Sequence, residues 1–386
     1  MKNDLQAAIP DSLKGHDDKP VGAFFAPGRV NLIGDHTDYN GGLVFPAALT
    51  MGTYLTVYER SDHFSCGFVS ENEPAHFHLR GEELLHRHHS WVDYPLGVLK
   101  EFSDRGYNVL GYEFHYRGDL PIGAALSSSA SIEVVTAFAL NELCGRPFTL
   151  LELVQMAQHA ENDFVGMNCG IMDQFASGFG KLNHAIALDC NTLQYEWVPL
   201  EMAGLKFVIA NTNKKRGLVD SAYNQRRSEC QQALELLKTR TDIQCLCQLT
   251  NEQFDELSPG LLDGKVFQRA RHTIREHQRV REAVGALKQG QMGRFGALMN
   301  ESHDSLRDDY EVTCPELDFL AMEARGYDGV LGSRMTGAGF GGCTVTLMQE
   351  QQVDAFIHDL GERYFQHFGI RADFYVADIG DGARKV

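Results

Sequence analysis

The chain has no run of about 18 apolar residues, so no part of its sequence is expected to cross a membrane as a helix. Its opening residues, M-K-N-D-L-Q-A-A-I-P-D, lack the apolar core of a signal peptide, and neither export nor anchoring is expected. It also lacks a second cysteine pair. Of nine cysteines only Cys245 and Cys247 lie close together, which leaves no four-ligand zinc pattern and no disulfide framework. A reducing cytoplasm is the expected compartment. Positive charge is scarce as well: the net charge of −17 denies the broad basic footprint that nucleic acid requires, although nucleotide phosphates can still bind locally. The sequence G-x-x-x-x-G-K-[ST] is absent, which excludes the usual P-loop.

What is present is the balance of a water-soluble protein, 43% hydrophobic and 23% charged, in a chain of 386 residues, too long for one ordinary core. Two domains are expected, dividing into residues 1–200 and 201–386. The one strongly basic stretch, Arg269 to Arg281, alternates with the helical stripe Ala270, Ile274, His277, Val284 and Leu287, and its arginines read as a solvated helix face. The cluster His76, His78, His86, His88 and His89 lacks the spacing of a metal site and reads as surface.

The segment that organises the chain runs L-P-I-G-A-A-L-S-S-S-A-S from Leu120 to Ser131. Small residues let backbone N–H groups approach an anion, and a helix predicted from near Ser128 aims its free amides and positive dipole end at the same point. The apolar pattern Ile132, Val134, Val135, Phe138, Leu140 and Leu143 carries that helix to Gly145 and Pro147. The alternative is a Ser-rich turn that caps an ordinary core helix.

Three other stretches carry misplaced polar groups. A strand predicted from Val21 to Ala26 runs on into A-P-G-R-V-N-L-I-G-D-H-T-D-Y-N-G-G (Ala26 to Gly42), where Arg29 and Asn31 interrupt an apolar strand. Asp35, His36 and Asp38 then crowd a Gly-bounded turn, where they converge on a small polar ligand or merely bond their own backbone. Thr149 to Glu152 is a capping box, and the stripe Leu150, Val154, Ala157 continues to Glu161, a carboxylate on a buried face that is either a cation ligand or a satisfied core acid. In N-C-G-I-M-D-Q-F-A-S-G-F-G (Asn168 to Gly180), Asp173 falls in the first turn of a short helix, as a dipole partner would too. A helix over Val219 to Leu237 puts Tyr223 on a stripe with Arg227, Cys230, Leu234 and Leu237, a core position by default. Near the end M-T-G-A-G-F-G-G-C (Met335 to Cys343) contains G-x-G-x-x-G, but Cys343 to Leu347 alternates as a strand, so the helix a dinucleotide fingerprint needs is missing. A glycine loop closing over a ligand is the simplest reading.

Those three segments, A-P-G-R-V-N-L-I-G-D-H-T-D-Y-N-G-G, P-I-G-A-A-L-S-S-S-A-S and M-T-G-A-G-F-G-G-C, resemble in order and spacing the three signatures of the GHMP small-molecule kinases, over nearly the whole chain from about Phe24 to Tyr375. The first resembles the sugar motif of the galactokinase branch. The resemblance implies an α+β fold with an N-terminal ribosomal-protein-S5-like α/β domain for ATP and sugar, a ferredoxin-like C-terminal domain, and an active site in the cleft between them. It further implies a cytoplasmic, monomeric kinase that moves the γ-phosphoryl group of ATP to the C1 hydroxyl of galactose, with Mg²⁺ and with no nucleic-acid or membrane partner. By that resemblance Asp35, His36, Thr37, Asp38 and Tyr223 hold the sugar, and Gly123, Ala124, Ala125, Leu126, Ser127, Ser128 and Ser129 wrap the ATP phosphates. Ser129 and Glu161 would ligate Mg²⁺, Asp173 would be the catalytic base and Arg29 the transition-state stabiliser. The chain departs from the pattern at Asp35, where Glu is usual, and at Ala125 and Ala338, which replace glycines. The shorter acid retracts its carboxylate by about 1.5 Å. A kinase for another sugar, such as N-acetylgalactosamine, and a non-catalytic sugar- and ATP-sensing regulator are the alternative readings.

Overall fold

The computed structural model describes residues 20–121, 126–214 and 219–386, with residues 219 and 220 described by their backbone alone. The first half is built on a six-stranded sheet in the order β13 (Arg384–Lys385), β1 (Gly22–Asn31), β3 (Pro46–Glu59), β6 (Tyr112–Gly118), β4 (Ser65–Ser70) and β5 (Phe77–Arg80). All neighbours are antiparallel except β4 and β6. The alternating Phe24, Leu55, Phe68 and Phe114 pack beneath α1 (Asp93–Asp104) and α2 (Ser128–Leu143), whose Leu96, Leu99, Val134 and Leu140 close the core. Helix α2 starts at Ser128 and stops where Gly145 takes a left-handed φ of 81°, as its sequence pattern predicts. The capping box also forms: Thr149 Oγ1 accepts from the Glu152 amide and Glu152 accepts from the Thr149 amide, opening α3 (Leu150–His159). Beyond His159 the chain makes a wide π-helical turn, Ala160–Val165, which carries Glu161 inward.

A small sheet of β2 (Leu43–Val44), β7 (His184–Asp189) and β8 (Tyr195–Pro199) flanks α4 (Met172–Phe179). The second half holds an antiparallel sheet in the order β10 (Val330–Thr336), β11 (Cys343–Gln349), β9 (Leu205–Asn211) and β12 (Asp373–Ala377). Helices α5 (Val219–Leu237), α6 (Asn251–Leu257), α7 (Gly264–Lys288), α8 (Met292–Ser305), α9 (Pro315–Ala324) and α10 (Val353–Phe368) complete it. The halves share one core, with Val30, Leu32 and Phe45 packed among Phe207, Ile209, Val280, Phe295 and Val345. The chain's last strand returns to pair Phe24 with Lys385 and Phe25 with Arg384.

Strand β1 holds Arg29 and Asn31 as expected, because a register shift between Pro27 and Arg29 re-aims the strand and lets it pair onward with Pro46 to Ala48. One expectation needs correction. The basic stretch of α7 is not a solvated face throughout. The Arg269 side chain is 1% exposed and bonds Glu229 (2.7 Å) and Glu311 (2.6 Å), while Arg271 pairs with Asp309 and Arg279 with the buried Glu276. The acids lie on α5, on α7 itself and on the turn after α8, so burial of these cations is met by fixed countercharge. The five histidines from His76 to His89 do lie at the surface. After Gly342 the chain enters β11 directly, so the G-x-G-x-x-G run is a turn between strands and not a dinucleotide site.

Candidate active site

The register shift at Pro27–Arg29 positions the first catalytic candidate. A Cβ on Gly28 would lie 2.4 Å from the Leu126 carbonyl oxygen, so glycine alone lets β1 approach the phosphate loop. The next amide, that of Arg29, donates to the same oxygen at 3.1 Å. The Arg29 guanidinium is thereby turned toward α4, where its Nε and Nη2 donate to the two carboxylate oxygens of Asp173, both at 2.8 Å. Such a planar fork fixes both partners. Ser127 sits in the left-handed region at φ 62° and donates its hydroxyl to Asp173 Oδ2 at 2.6 Å. Asp173 lies in the first turn of α4, with Met172 and Phe175 buried beside it.

Around this fork lies a cavity of about 370 Å³ whose lining includes Arg29, Asp35, His36, Asp38, Ser127, Ser128, Ser129, Glu161, Asp173 and Tyr223. The structure therefore brings together residues that lie up to 194 positions apart in the chain. Thr37 is the exception among the sugar-motif residues. It is fully buried and its hydroxyl lies 2.8 and 2.7 Å from the Gly34 and Leu43 carbonyl oxygens, so it braces the turn and does not reach the cavity. Gly123, Ala124 and Ala125 lie outside the described residues.

The acids of the turn differ in state. Asp35 is 1% exposed and pairs with Arg334 at 2.5 Å, while its other oxygen accepts from Asn31 Nδ2 (2.9 Å) and the Gly337 amide (3.2 Å). It thus ties the sugar-motif turn to the glycine turn that follows β10. Ala338 in that turn is not among the residues with positive φ, so it replaces a glycine without strain. Burial, and then the charge of Asp173, push the Asp38 carboxyl up to about 6. Its Oδ2 would lie 1.9 Å from a Cβ on Gly170, so the chain at Asn168–Gly170 closes directly on this acid. His36 is kept neutral at ordinary pH, its pKa lowered to about 4 by burial.

Glu161 is 7% exposed, and burial together with Asp173 raises its pKa. It accepts from Gln174 Nε2 at 2.5 Å, a nitrogen that also donates to the fully buried Glu133 at 3.1 Å. The Ser129 hydroxyl bonds Glu161 from the first turn of α2. The set offers hard oxygen donors to a divalent cation, and a buried Glu133 oxygen without a hydrogen-bond partner lies beside it. Among the described residues no three side chains form a closed metal cage.

A second cavity of about 230 Å³ shares Ser128 and Ser129 with the first and is walled by Asn72, Trp91, Tyr94, Tyr116 and Ile132. Sequence reasoning missed these aromatics, because Trp91 and Tyr94 sit at the start of the ordinary amphipathic helix α1 and Tyr116 on strand β6. It also missed Arg334, although the signal that singled out Arg29, a charge within an apolar strand just before a turn, is present in S-R-M-T.

Three family models match the chain: the GHMP kinases N terminal domain over residues 93–181, the galactokinase galactose-binding signature over residues 13–58, and the GHMP kinases C terminal domain over residues 283–366. The fold is thus that of a two-domain GHMP kinase. Galactokinase of Bacillus subtilis is 50% identical over 372 residues, covering 94% of each chain, and galactokinase of Clostridium beijerinckii is 49% identical over 366 residues with the same coverage. The crystal structure of Lactococcus lactis galactokinase complexed with galactose superposes with a TM-score of 0.95 at 44% identity, covering 99% of this chain and 100% of that one. Mevalonate kinase of Methanococcus jannaschii shares the fold alone, at TM-score 0.67 and 17% identity over 93% of this chain and 98% of that one. The chain belongs to the galactokinase family. No helix among the described residues is long and apolar enough to cross a membrane.

Proposed function

We propose that the chain is a galactokinase that transfers the γ-phosphoryl group of ATP to the C1 hydroxyl of α-D-galactose, giving α-D-galactose 1-phosphate and ADP. The observation that carries this reading is the Arg29–Asp173 fork, which faces a sugar-sized cavity lined on one side by the sugar-motif turn and on the other by Ser127 to Ser129. Asp38 and His36, with the Tyr223 ring tilted against the imidazole at 5.7 Å between centroids, supply the polar and aromatic surface a hexose needs. The second cavity takes the base of ATP against Trp91, Tyr94 and Tyr116, and the shared serines lie where the phosphates pass between the two.

In phosphoryl transfer charge spreads over the γ-phosphoryl oxygens while attacking and leaving oxygens stand in line, so positioning and countercharge supply most of the catalysis. Asp173 accepts the hydrogen bond of the C1 hydroxyl and takes its proton as the new O–P bond forms and the bond to ADP breaks. Arg29 holds that carboxylate in one orientation and adds positive charge beside the transferring group. The first-turn amides of α2, which have no acceptor within their own helix, receive the phosphate oxygens. Ser129 and Glu161 would hold Mg²⁺, whose charge would offset that of the phosphates. In this reading the enzyme works as a monomer in the cytoplasm, where its nine free thiols remain reduced.

A coupled assay of ADP release over a panel of sugars tests the proposal. Turnover with D-galactose and little with D-glucose is expected, because a site that bonds one axial hydroxyl leaves buried polar groups unpaired with its epimer. Comparable kcat/KM for the two sugars would overturn it.

A further inference from the structure

Beneath the cavity a line of buried polar atoms runs from His36 to the second half of the chain. His36 Nε2 lies 3.2 Å from the Ala338 carbonyl oxygen and its Nδ1 2.8 Å from the Tyr39 hydroxyl. The Tyr39 hydroxyl is 2.8 Å from the Tyr310 hydroxyl, which is 3.1 Å from Cys230 Sγ. Tyr310 is fully buried, Cys230 is 2% exposed, and neither lines the cavity. The Tyr310 ring packs tilted against the imidazole at 4.8 Å between centroids.

The direction of every bond in this line follows from its end. A carbonyl oxygen only accepts, so Nε2 carries the imidazole hydrogen. In the neutral ring Nδ1 is then a lone pair, and Tyr39 must donate to it. Each phenol has one hydrogen, so Tyr310 donates to Tyr39, and Cys230 in turn donates to Tyr310. Beyond Tyr310 the thiol also meets Asn40 and Thr273, whose Oγ1 lies 3.8 Å from Cys230 Sγ and spends its own hydrogen on the Arg269 carbonyl at 3.0 Å, so Thr273 does not donate to the sulfur. Burial holds the ring neutral, as this direction requires.

We infer that Tyr39, Tyr310 and Cys230 are positioning residues, a one-way relay that fixes His36 as a hydrogen-bond donor at Nε2, where the ring faces the cavity and the glycine turn. The inference deepens the sugar-site reading and rests on it for its effect on galactose. The Nε2 hydrogen is engaged by the Ala338 carbonyl, so His36 cannot accept from a sugar hydroxyl at that nitrogen. Because Nδ1 and Nε2 engage opposite halves of the chain, the same ring spans Tyr39 and Ala338 and couples the sugar turn to the glycine turn.

The test is ¹⁵N-histidine NMR of the full chain without ligand, with the His36 signals assigned by loss in His36→Gln. A protonated Nε2 and an unprotonated, hydrogen-bonded Nδ1 are expected. A protonated Nδ1 in the wild type overturns the inference without recourse to any further variant. In Tyr39→Phe the Nδ1 signal should shift toward that of a bare imine nitrogen and the galactose KM should rise about tenfold, with kcat changed less than about threefold. Tyr310→Phe should move both readouts in the same direction by less, and Cys230→Ser, which keeps a donor, should restore what Cys230→Ala loses. Unaltered Nδ1 signals in both tyrosine variants would also overturn it. Galactose binding by calorimetry is read on the same samples: a correct tautomer without galactose binding would refute the sugar-site reading and leave the relay standing.

Discussion

Substituting Asp173 with Asn separates chemistry from binding at the site. The carboxylate takes three hydrogen bonds, from Arg29 Nε and Nη2 at 2.8 Å each and from Ser127 Oγ at 2.6 Å. An amide offers one oxygen in place of two. Whichever way it is turned, its NH₂ faces one arm of the Arg29 fork, and Ser127 can rotate to accept while the guanidinium cannot. Arg29, 4% exposed, thus loses one charge-assisted bond and its countercharge. Such a bond is worth about 1.5–3 kcal/mol, and a fully buried pair broken on one side costs roughly 3–5. The Asp173 side chain is 27% exposed, so water replaces part of the loss, and about 2 kcal/mol is expected. Against a total stability of about 5–15 kcal/mol the variant remains folded. Its kcat should nevertheless fall at least ~10²-fold, the usual contribution of a positioned base and equal to about 2.7 kcal/mol of barrier. The measurement is steady-state ADP release beside galactose calorimetry and a thermal melt on one preparation. A melt lowered by a few degrees, near-native galactose affinity and a collapsed kcat are the expected set. Near wild-type turnover would refute the mechanism, and Asp38 would be the next carboxylate to test.

Three further outcomes follow from the same geometry. Glu161→Gln should raise the Mg²⁺ concentration needed for half-maximal rate and lower kcat while galactose binding stays near wild type; an unchanged Mg²⁺ titration would leave Glu161 a structural acid. Gly170→Ala places a methyl 1.9 Å from Asp38 Oδ2, so the acid must move, and the galactose KM should rise at least ~10-fold with little change in the ATP KM. Asp38 titrates at about 6, so if its ionised form bonds the sugar, kcat/KM for galactose should climb as pH rises through about 6, and Asp38→Asn should flatten that limb. The stability term has the opposite sign: the folded value lies above the ordinary 3.8, so Asp38 favours folding fully below 3.8 and that contribution is lost as pH rises through about 6.

How much of this was legible in the sequence depended on the range of the interaction involved. Elements whose signals are local came out with their ends. Helix α2 begins at Ser128 and α5 runs from Val219 to Leu237, because capping residues and the 3.6-residue stripe act within a few positions. Strand β1 was legible as an apolar strand that holds Arg29 and Asn31, but its register shift at Pro27–Arg29 and its pairing with Pro46 to Ala48 are reported by no local pattern. Arg269 is the sharper case. On its own helix it belongs to a basic row, and only the acids Glu229 and Glu311, brought from α5 and the turn after α8, make its burial tolerable.

The same division holds within the site. Arg29 and Glu161 were conspicuous because each is a charge placed where the surrounding pattern is apolar, and such a charge needs a partner that only folding supplies, whereas Asp173 at a helix start was a weak signal by itself. For Arg29 and Asp173 the partner is the other residue, and for Glu161 it is Gln174 and Ser129. Thr37 shows the limit of a motif. It stands between two cavity residues, yet its hydroxyl is spent on Gly34 and Leu43, because a tight turn must satisfy its own carbonyls before it can present side chains outward. Asp35 is intermediate: it borders the cavity, but its oxygens are engaged by Arg334, Asn31 and Gly337. A motif residue can therefore serve the sugar by fixing the turn that holds Asp38 and His36. For Asp35 the physical consequence is that its length is matched first to Arg334, a buried partner 299 residues away, and only then to the ligand.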